Sequence, residues 1–132
     1  MLMRAPSFVA LTVKIFSVYM MLLGCAMMLA PEPLFALVGL ALGTGVPFVR
    51  SLGMVVSLFG YQYWLAGVHD TRSFILGSVR TRLAAVGILV LMTVIGWVHW
   101  KIAAFAFLDG AGGLWTWWAL RHEAQQAAGA SV

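Results

Sequence analysis

Charged side chains are what this sequence has least of. Asp, Glu, Lys and Arg make up 9% of its 132 residues, against about 25% in a soluble domain. There is a single cysteine, which excludes an internal disulfide and a cysteine-rich metal site. The net charge of +4 is spread along the chain, so no basic run predicts a nucleic-acid surface. A hydrophobic share of 63% and a mean hydropathy of +0.99 instead predict an all-α membrane protein of one domain.

Apolar stretches long enough to cross a bilayer, which takes about 20 residues, occur four times. They are residues 8–29, 51–68, 83–100 and 102–120. Residues 83–120 are almost continuously apolar, and length places the turn at residues 99–101. A turn at the loop-like sequence 109–113 would leave too short a last helix. A shorter run at 34–42, bracketed by prolines, predicts an interfacial helix between the first two spans.

These lengths predict a four-transmembrane-helix bundle followed by a tail at residues 121–132, of which residues 125–132 are small and polar enough to be disordered. Charge distribution then predicts its orientation, because cytoplasmic loops are enriched in Lys and Arg. Five arginines fall on the side of the N-terminus and two basic residues on the other. The five are Arg4, Arg72, Arg80, Arg82 and Arg121, and the two are Arg50 and Lys101. We therefore expect a multi-pass protein with both termini in the cytoplasm.

Asp109 is the residue that lipid tolerates least, because it lies in the middle of the predicted fourth span. Three interpretations are open. The carboxylate pairs with Lys14 of the first span, or it is protonated and hydrogen-bonded to a neighbouring helix, or it lines a polar cavity and binds a proton, a cation or a substrate. Pairing is favoured, so Asp109 and Lys14 are the candidate functional site or buried ion pair.

Small residues predict where helices pack closely, since lipid competes equally for large apolar side chains. The second span carries a stripe of small residues along its whole length. The fourth span carries a comparable face with Ala106. The two sets of packing residues are Gly53, Ser57, Gly60 and Gly67 in the second span, and Gly110 and Gly113 in the fourth. We expect these two helices to make the closest contact in the bundle.

Other polar groups predict less specific roles. Residues 69–82 predict a cytoplasmic connector with a short helix capped by Ser73, and its arginines Arg72, Arg80 and Arg82 are candidate contacts for a partner or for lipid headgroups. His69, His99 and His122 lack the spacing of metal ligands, so no metal or cofactor is expected. Residues 22–25 resemble a lipoprotein cleavage site, but the apolar run continues after Cys25, which favours an inert helical cysteine.

Four short motifs complete the pattern. They are Pro-Glu-Pro-Leu-Phe at 31–35, Val-Arg-Ser-Leu-Gly at 49–53, Leu-Phe-Gly-Tyr-Gln-Tyr at 58–63 and, after Asp109, Gly-Gly-Leu-Trp-Thr-Trp-Trp-Ala-Leu at 112–120. Over most of residues 31–120 the chain resembles small four-span bacterial inner-membrane proteins, broadly DoxX-like. The resemblance implies a four-helix architecture and, since some DoxX-like proteins are small subunits of quinone-linked redox systems, an accessory role. It supplies no catalytic residues.

The expected function is therefore that of a non-enzymatic accessory or assembly subunit of a membrane complex. Its expected partners are lipid and either other membrane subunits or further copies of itself. The alternative is a small oligomeric transporter that uses Asp109 as its intramembrane carboxylate. A redox or lipid-modifying enzyme is disfavoured by the single cysteine and the scattered histidines.

Overall fold

The computed structural model describes residues 7–131, and every regular element in that range is helical. The α-helices are α1 (Phe8–Leu29), α2 (Pro31–Ala36), α3 (Val46–Val68), α4 (Arg72–Ile95) and α5 (Trp100–Ala130), with one turn of 3₁₀ helix at Gly43–Gly45 before α3. The prediction of an all-helical chain is confirmed.

Three helical segments are long and apolar enough to cross a membrane: α1, Gly43–Val68, and α4. The fifth helix has 31 residues and is about 46 Å long, which exceeds the thickness of the hydrocarbon core. Its glycines, its tryptophans and Asp109 lower its hydropathy below that of the other three. The chain is thus an all-α protein with three candidate spans and a fourth long helix of mixed composition.

Helix α4 begins at Arg72, about three turns earlier than the predicted third span. The predicted separate connector is therefore wrong, and so is its Ser73 cap, because Thr71 occupies the N-cap without a side-chain bond. The first turns of α4 bury Ile75 and Val79 on the same face as Arg82, so they extend the packed surface of the helix. One continuous helix places these side chains on a single buried face. A separate short surface helix would not bring them together in this way.

The connection between α4 and α5 is short. Gly96 adopts a left-handed conformation (φ 88°), in which its N–H donates to the carbonyl of Thr93 and the N–H of Trp97 donates to that of Met92. Helix α5 starts at Trp100, where Nδ1 of His99 accepts the N–H of Lys101 at 3.2 Å. The turn therefore occupies residues 96–99, and the sequence 109–113 lies inside α5.

The other connections and the C-terminus also differ from the sequence-based expectation. The short helix expected at 34–42 is instead α2, which starts at Pro31 because proline at the first helical position loses no hydrogen bond. Positive φ angles at Gly39 and Gly43 turn the chain toward α3. At the other end, α5 continues to Ala130, so the predicted disordered tail is wrong for the residues described.

The described residues form two compact units. The α1–α3 unit is residues 14–65, and the α4–α5 unit is residues 7–13 together with residues 66–131. In the second unit, the buried face of α5 consists entirely of small residues at intervals of three or four. They are Ala103, Ala106, Gly110, Gly113, Thr116 and Ala119. This spacing lets α5 lie close against α4 along most of its length.

Candidate functional site

Asp109 lies within α5 and is half-buried. The next residue, Gly110, is on the buried face, where a methyl group would lie 3.0 Å from Cγ2 of Val86 in α4. The charged group that acts electrostatically on the Asp109 carboxylate is the guanidinium of Arg82, also from α4. The structure therefore gives Asp109 a cationic group on the adjacent helix that acts on its carboxylate.

Arg82 is a buried cation, with 5% of its surface exposed. Its stem lies over Gly113, one turn after Asp109 on α5, where a methyl group would be 3.4 Å from Cβ and 3.5 Å from Cδ of Arg82. The arginine stem therefore lies close against α5 at Gly113, at a distance where an added methyl group would make ordinary van der Waals contact. A buried cation of this kind is tolerated best in an apolar setting when an anion lies nearby. Asp109 is a candidate for that anion, because the charge of Arg82 acts on its carboxylate.

Lys14 has different surroundings within the α1–α3 unit. Its Nζ lies 5.9 Å from the ring centroid of Trp64, close enough for a cation–π interaction. The pair Lys14–Asp109 stays a prediction, and Arg82 is a second candidate for the same role. Sequence reasoning did not consider Arg82, because it assigned this arginine to a cytoplasmic loop.

Glu123 lies in the C-terminal third of α5 and connects three helices. Its Oε2 accepts from Nη2 of Arg72, the first residue of α4, at 2.7 Å, and its Oε1 accepts from the backbone N–H of Val9 in the first turn of α1 at 3.1 Å. Arg72 also bonds Asp70 through Nε at 3.0 Å. We call Glu123, Arg72, Asp70 and the first turn of α1 the Glu123 cluster.

The charge of Glu123 suits this position. Burial by itself raises the pKa of its carboxyl group, but the hydrogen bonds from Arg72 and from the N–H of Val9 outweigh burial and lower the pKa below its ordinary value of 4.5. The first N–H groups of a helix have no acceptor within the helix, and the helix dipole favours an anion there. Glu123 is therefore an ionised remote cap of α1, in addition to Ser7, whose Oγ accepts the N–H of Ala10 at 3.0 Å.

A buried hydroxyl pair lies next to this cluster. Oγ1 of Thr12 and Oγ1 of Thr116 are 3.2 Å apart, and both residues are fully buried. Each hydroxyl also has a backbone acceptor, Val9 for Thr12 at 2.8 Å and Gly112 for Thr116 at 3.1 Å. One hydroxyl can therefore donate to the other while the second donates to its own helix, so no buried polar atom of the pair is left without a bond.

The small-residue faces contact other helices than expected. In the α1–α3 unit, a methyl group on Gly53 would lie 2.6 Å from the carbonyl oxygen of Gly24, and one on Gly60 would lie 2.9 Å from the backbone nitrogen of Met21. Ser57 lies against Gly24 as well. The stripe of α3 therefore packs on α1, while Gly110 and Gly113 pack on α4. Gly67 is buried near the end of α3.

The three arginines proposed for a cytoplasmic contact surface have different environments. Arg72 is 44% exposed and belongs to the Glu123 cluster, and Arg80 is exposed on α4. Arg82 is buried, and its stem lies against Gly113 of α5, so this arginine does not form part of an exposed surface. Among residues 7–131, no three His, Cys, Asp or Glu side chains come together as a metal site.

Sequence reasoning missed Glu123, Thr116 and Gly24. Glu123 is one of four acids in the chain, and an acid just beyond a predicted span was a usable signal for a helix-end contact. Thr116 stands among tryptophans, and Gly24 stands in an apolar run without a periodic partner. Neither has a local pattern, because their contacts come from helices distant in sequence.

Comparison with known proteins returned no match to any family model, curated protein or solved structure. Function is therefore inferred from the contacts of this chain alone.

Proposed function

We propose that this chain is a non-enzymatic integral inner-membrane protein of the broad DoxX-like kind, with four spans. It works as an accessory or assembly subunit that packs against other subunits in the bilayer. The observation that carries this proposal is how the chain uses its internal charges. Glu123 of α5 hydrogen-bonds to Arg72 of α4, and the guanidinium of Arg82 in α4 acts electrostatically on Asp109 of α5. Groups used this way stabilise a scaffold.

A fourth crossing by α5 is supported by its register along α4. The two helices run antiparallel after a short turn, and contacts join them at successive depths. These are Arg72 with Glu123, Arg82 with Gly113, and Val86 with Gly110. If α4 crosses the bilayer, α5 passes the same depths beside it. The low hydropathy of α5 is compatible with crossing because its glycines face α4 and its tryptophans suit an interface.

An orientation with both termini on one side is supported by the Glu123 cluster. It brings the start of α1, the start of α4 and the last third of α5 to the same level. In a four-span topology this side holds Arg72, Arg80 and Arg121, while the connections on the other side hold Arg50 and Lys101. The excess of arginine favours the cytoplasm for the side with the termini.

An accessory role is supported by the outer surface of α3. Only 11% of the apolar 18-residue stretch within Gly43–Val68 is buried by the rest of this chain. The buried part is the narrow glycine face that contacts α1. The remaining apolar surface is available to lipid and to other subunits. To test the role, the tagged chain is expressed at low level, solubilised in mild detergent and analysed for partners present in stoichiometric amount.

A photo-crosslinking residue makes this test specific. Placed at the exposed Leu58 of α3, it is expected to form an adduct with a larger membrane protein. Placed at Ala106, on the buried small-residue face of α5, it is expected to give no such adduct. A chain that purifies alone and gives the same adducts from both positions would overturn the accessory role.

The alternative is a small oligomeric transporter that uses Asp109. The observation in its favour is that Asp109 is half-buried rather than enclosed, so part of its carboxylate surface is accessible. Protein reconstituted in vesicles would then take up protons or cations, and Asp109→Asn would abolish uptake. Glu123→Gln is the matched control, since it removes an acid outside the span. Equal uptake by both variants, or none by the unaltered protein, contradicts transport.

A further inference from the structure

Gln62 is a polar side chain in an exposed position of a candidate span. It lies six residues before the end of α3, about 9 Å along the helix from its terminus, and it is exposed. No group among the residues that the structure describes hydrogen-bonds to its amide. An amide in hydrocarbon is unfavourable without a partner, because lipid tails offer neither donors nor acceptors.

The side chains on the same face of α3 form a continuous apolar seam with Gln62. Four large residues precede it at alternating intervals of four and three, and all are exposed. They are Phe48, Leu52, Val55 and Phe59. This spacing is the 3.5-residue repeat by which two parallel helices contact each other along their length. We call Phe48, Leu52, Val55, Phe59 and Gln62 the α3 seam.

The α3 seam is separate from the face that packs on α1. Gly53 and Gly60 define that buried face, and about 100° of rotation per residue places the seam roughly a third of a turn from it. A helix can therefore contact the seam while the pairing of α1 with α3 is kept. The seam is a free surface within the described residues and has its own polar group at a fixed depth.

We propose that the α3 seam is the interface of a parallel homodimer, in which the Gln62 amides of two copies hydrogen-bond to each other. A carboxamide is self-complementary, since its NH₂ donates and its oxygen accepts. Copies inserted in the same orientation place Gln62 at the same depth, so a two-fold axis along the bilayer normal brings the two amides together. A different subunit would satisfy the amide only if it carried a matching polar group at that depth. This dimer does not require the accessory role.

Cysteine crosslinking tests the seam directly. The only native cysteine is first replaced by Cys25→Ala, and a single cysteine is then introduced at Phe59 on the seam or at Leu58 off it. The two positions are adjacent, so their depth is nearly equal and both are exposed. Oxidation in native membranes is expected to give a disulfide-linked dimer from Phe59→Cys and little from Leu58→Cys. Equal crosslinking from both positions would overturn the seam.

Dilution in lipid tests the role of the amide. With purified protein labelled for energy transfer in vesicles, Gln62→Leu is expected to weaken dimerisation about 5- to 30-fold, as for an interhelical side-chain bond in lipid. Tyr61→Phe, a neighbouring exposed position on another face, is expected to leave it unchanged. A dimer that is insensitive to Gln62→Leu, or purified protein that remains monomeric at every lipid ratio, would overturn the proposal. A heteromeric adduct from Phe59→Cys in place of the dimer would also overturn it, and would leave the accessory role standing.

Discussion

The backbones of α3 and α1 approach each other closely at Gly53 and Gly24, and this approach predicts a severe effect of Gly53→Ala. A Cβ at position 53 would lie 2.6 Å from the carbonyl oxygen of Gly24, 2.7 Å from Cβ of Met27 and 2.9 Å from the backbone nitrogen of Met28. Ordinary contact begins near 3.4 Å, so α1 and α3 would have to separate by up to about 0.8 Å. Two of these three atoms belong to the backbone and the third is a Cβ fixed to it, so none of them can rotate away.

The expected loss follows from what holds helices together in lipid. Packing there depends on van der Waals contact, and a separation of 0.5–1 Å forfeits roughly a quarter to a half of each contact energy. Overpacking a filled interface costs about 1–3 kcal/mol, and the backbone neighbours place Gly53→Ala in the upper part of that range. The midpoint of thermal unfolding should fall by several degrees.

The measurement is thermal unfolding in detergent or in lipid nanodiscs. The fraction of protein that remains monodisperse after heating is recorded at each temperature. Gly87→Ala is the matched control, because a methyl group on this α4 glycine meets nothing within 4 Å. Gly113→Ala is a second control, since its methyl group would make only ordinary contacts with Arg82. If Gly53→Ala unfolds at the same temperature as the unaltered protein and as Gly87→Ala, the close approach of α1 and α3 is wrong.

Three further predictions concern the polar contacts. Glu123→Gln should lower the free energy of unfolding by about 1–2 kcal/mol at pH 7. Because the pKa of Glu123 is lowered in the folded protein, the difference between the variant and the unaltered protein should be present above pH 4.5 and shrink as the pH falls below it. Unfolding measured at several pH values will show this. Thr116→Val removes the hydrogen bond to Thr12 while keeping the side-chain volume, so the free energy of unfolding should fall by about 0.6 kcal/mol. Because both residues share this one bond, adding Thr12→Val to Thr116→Val should not lower the free energy of unfolding by a second roughly 0.6 kcal/mol. Asp109→Asn should destabilise the protein by about 1–2 kcal/mol because it removes the negative charge that acts on the buried guanidinium of Arg82, and Arg82→Met in the same chain should recover most of that loss. Additive losses in that double variant would mean that the two residues do not form a pair.

Much of the secondary structure was predictable from hydropathy and length. The bounds of α1 and the helical state of residues 109–113 follow from counting how many residues a span needs. The early start of α4 and the helical C-terminus of α5 did not follow in the same way. Both depend on contacts with distant residues: Arg72 begins α4 where Glu123 bonds it, and Glu123 anchors the part of α5 that composition alone described as a tail.

The candidate site was predictable in its members but only partly in their partners. A carboxylate inside an apolar run is visible in any sequence, so Asp109 was found without a structure. Its neighbour Arg82 was hidden, because an arginine near the end of an apolar run is also typical of a cytoplasmic loop. The glycines of α3 and α5 were likewise recognised as packing residues, whereas the helices they contact were assigned wrongly.

The sequence by itself determined the class of this protein: few charges, one cysteine and long apolar runs commit the backbone to helices whose hydrogen bonds are satisfied within each helix. Only the tertiary structure decided that Gly53 meets α1, that Gly113 lies against the stem of Arg82 and that Glu123 caps α1 across 114 residues of sequence. The physical reason is that hydropathy depends on what each residue is, whereas contacts between helices depend on their rotation and relative height. Those two quantities are set by side-chain packing between segments that are far apart in the chain.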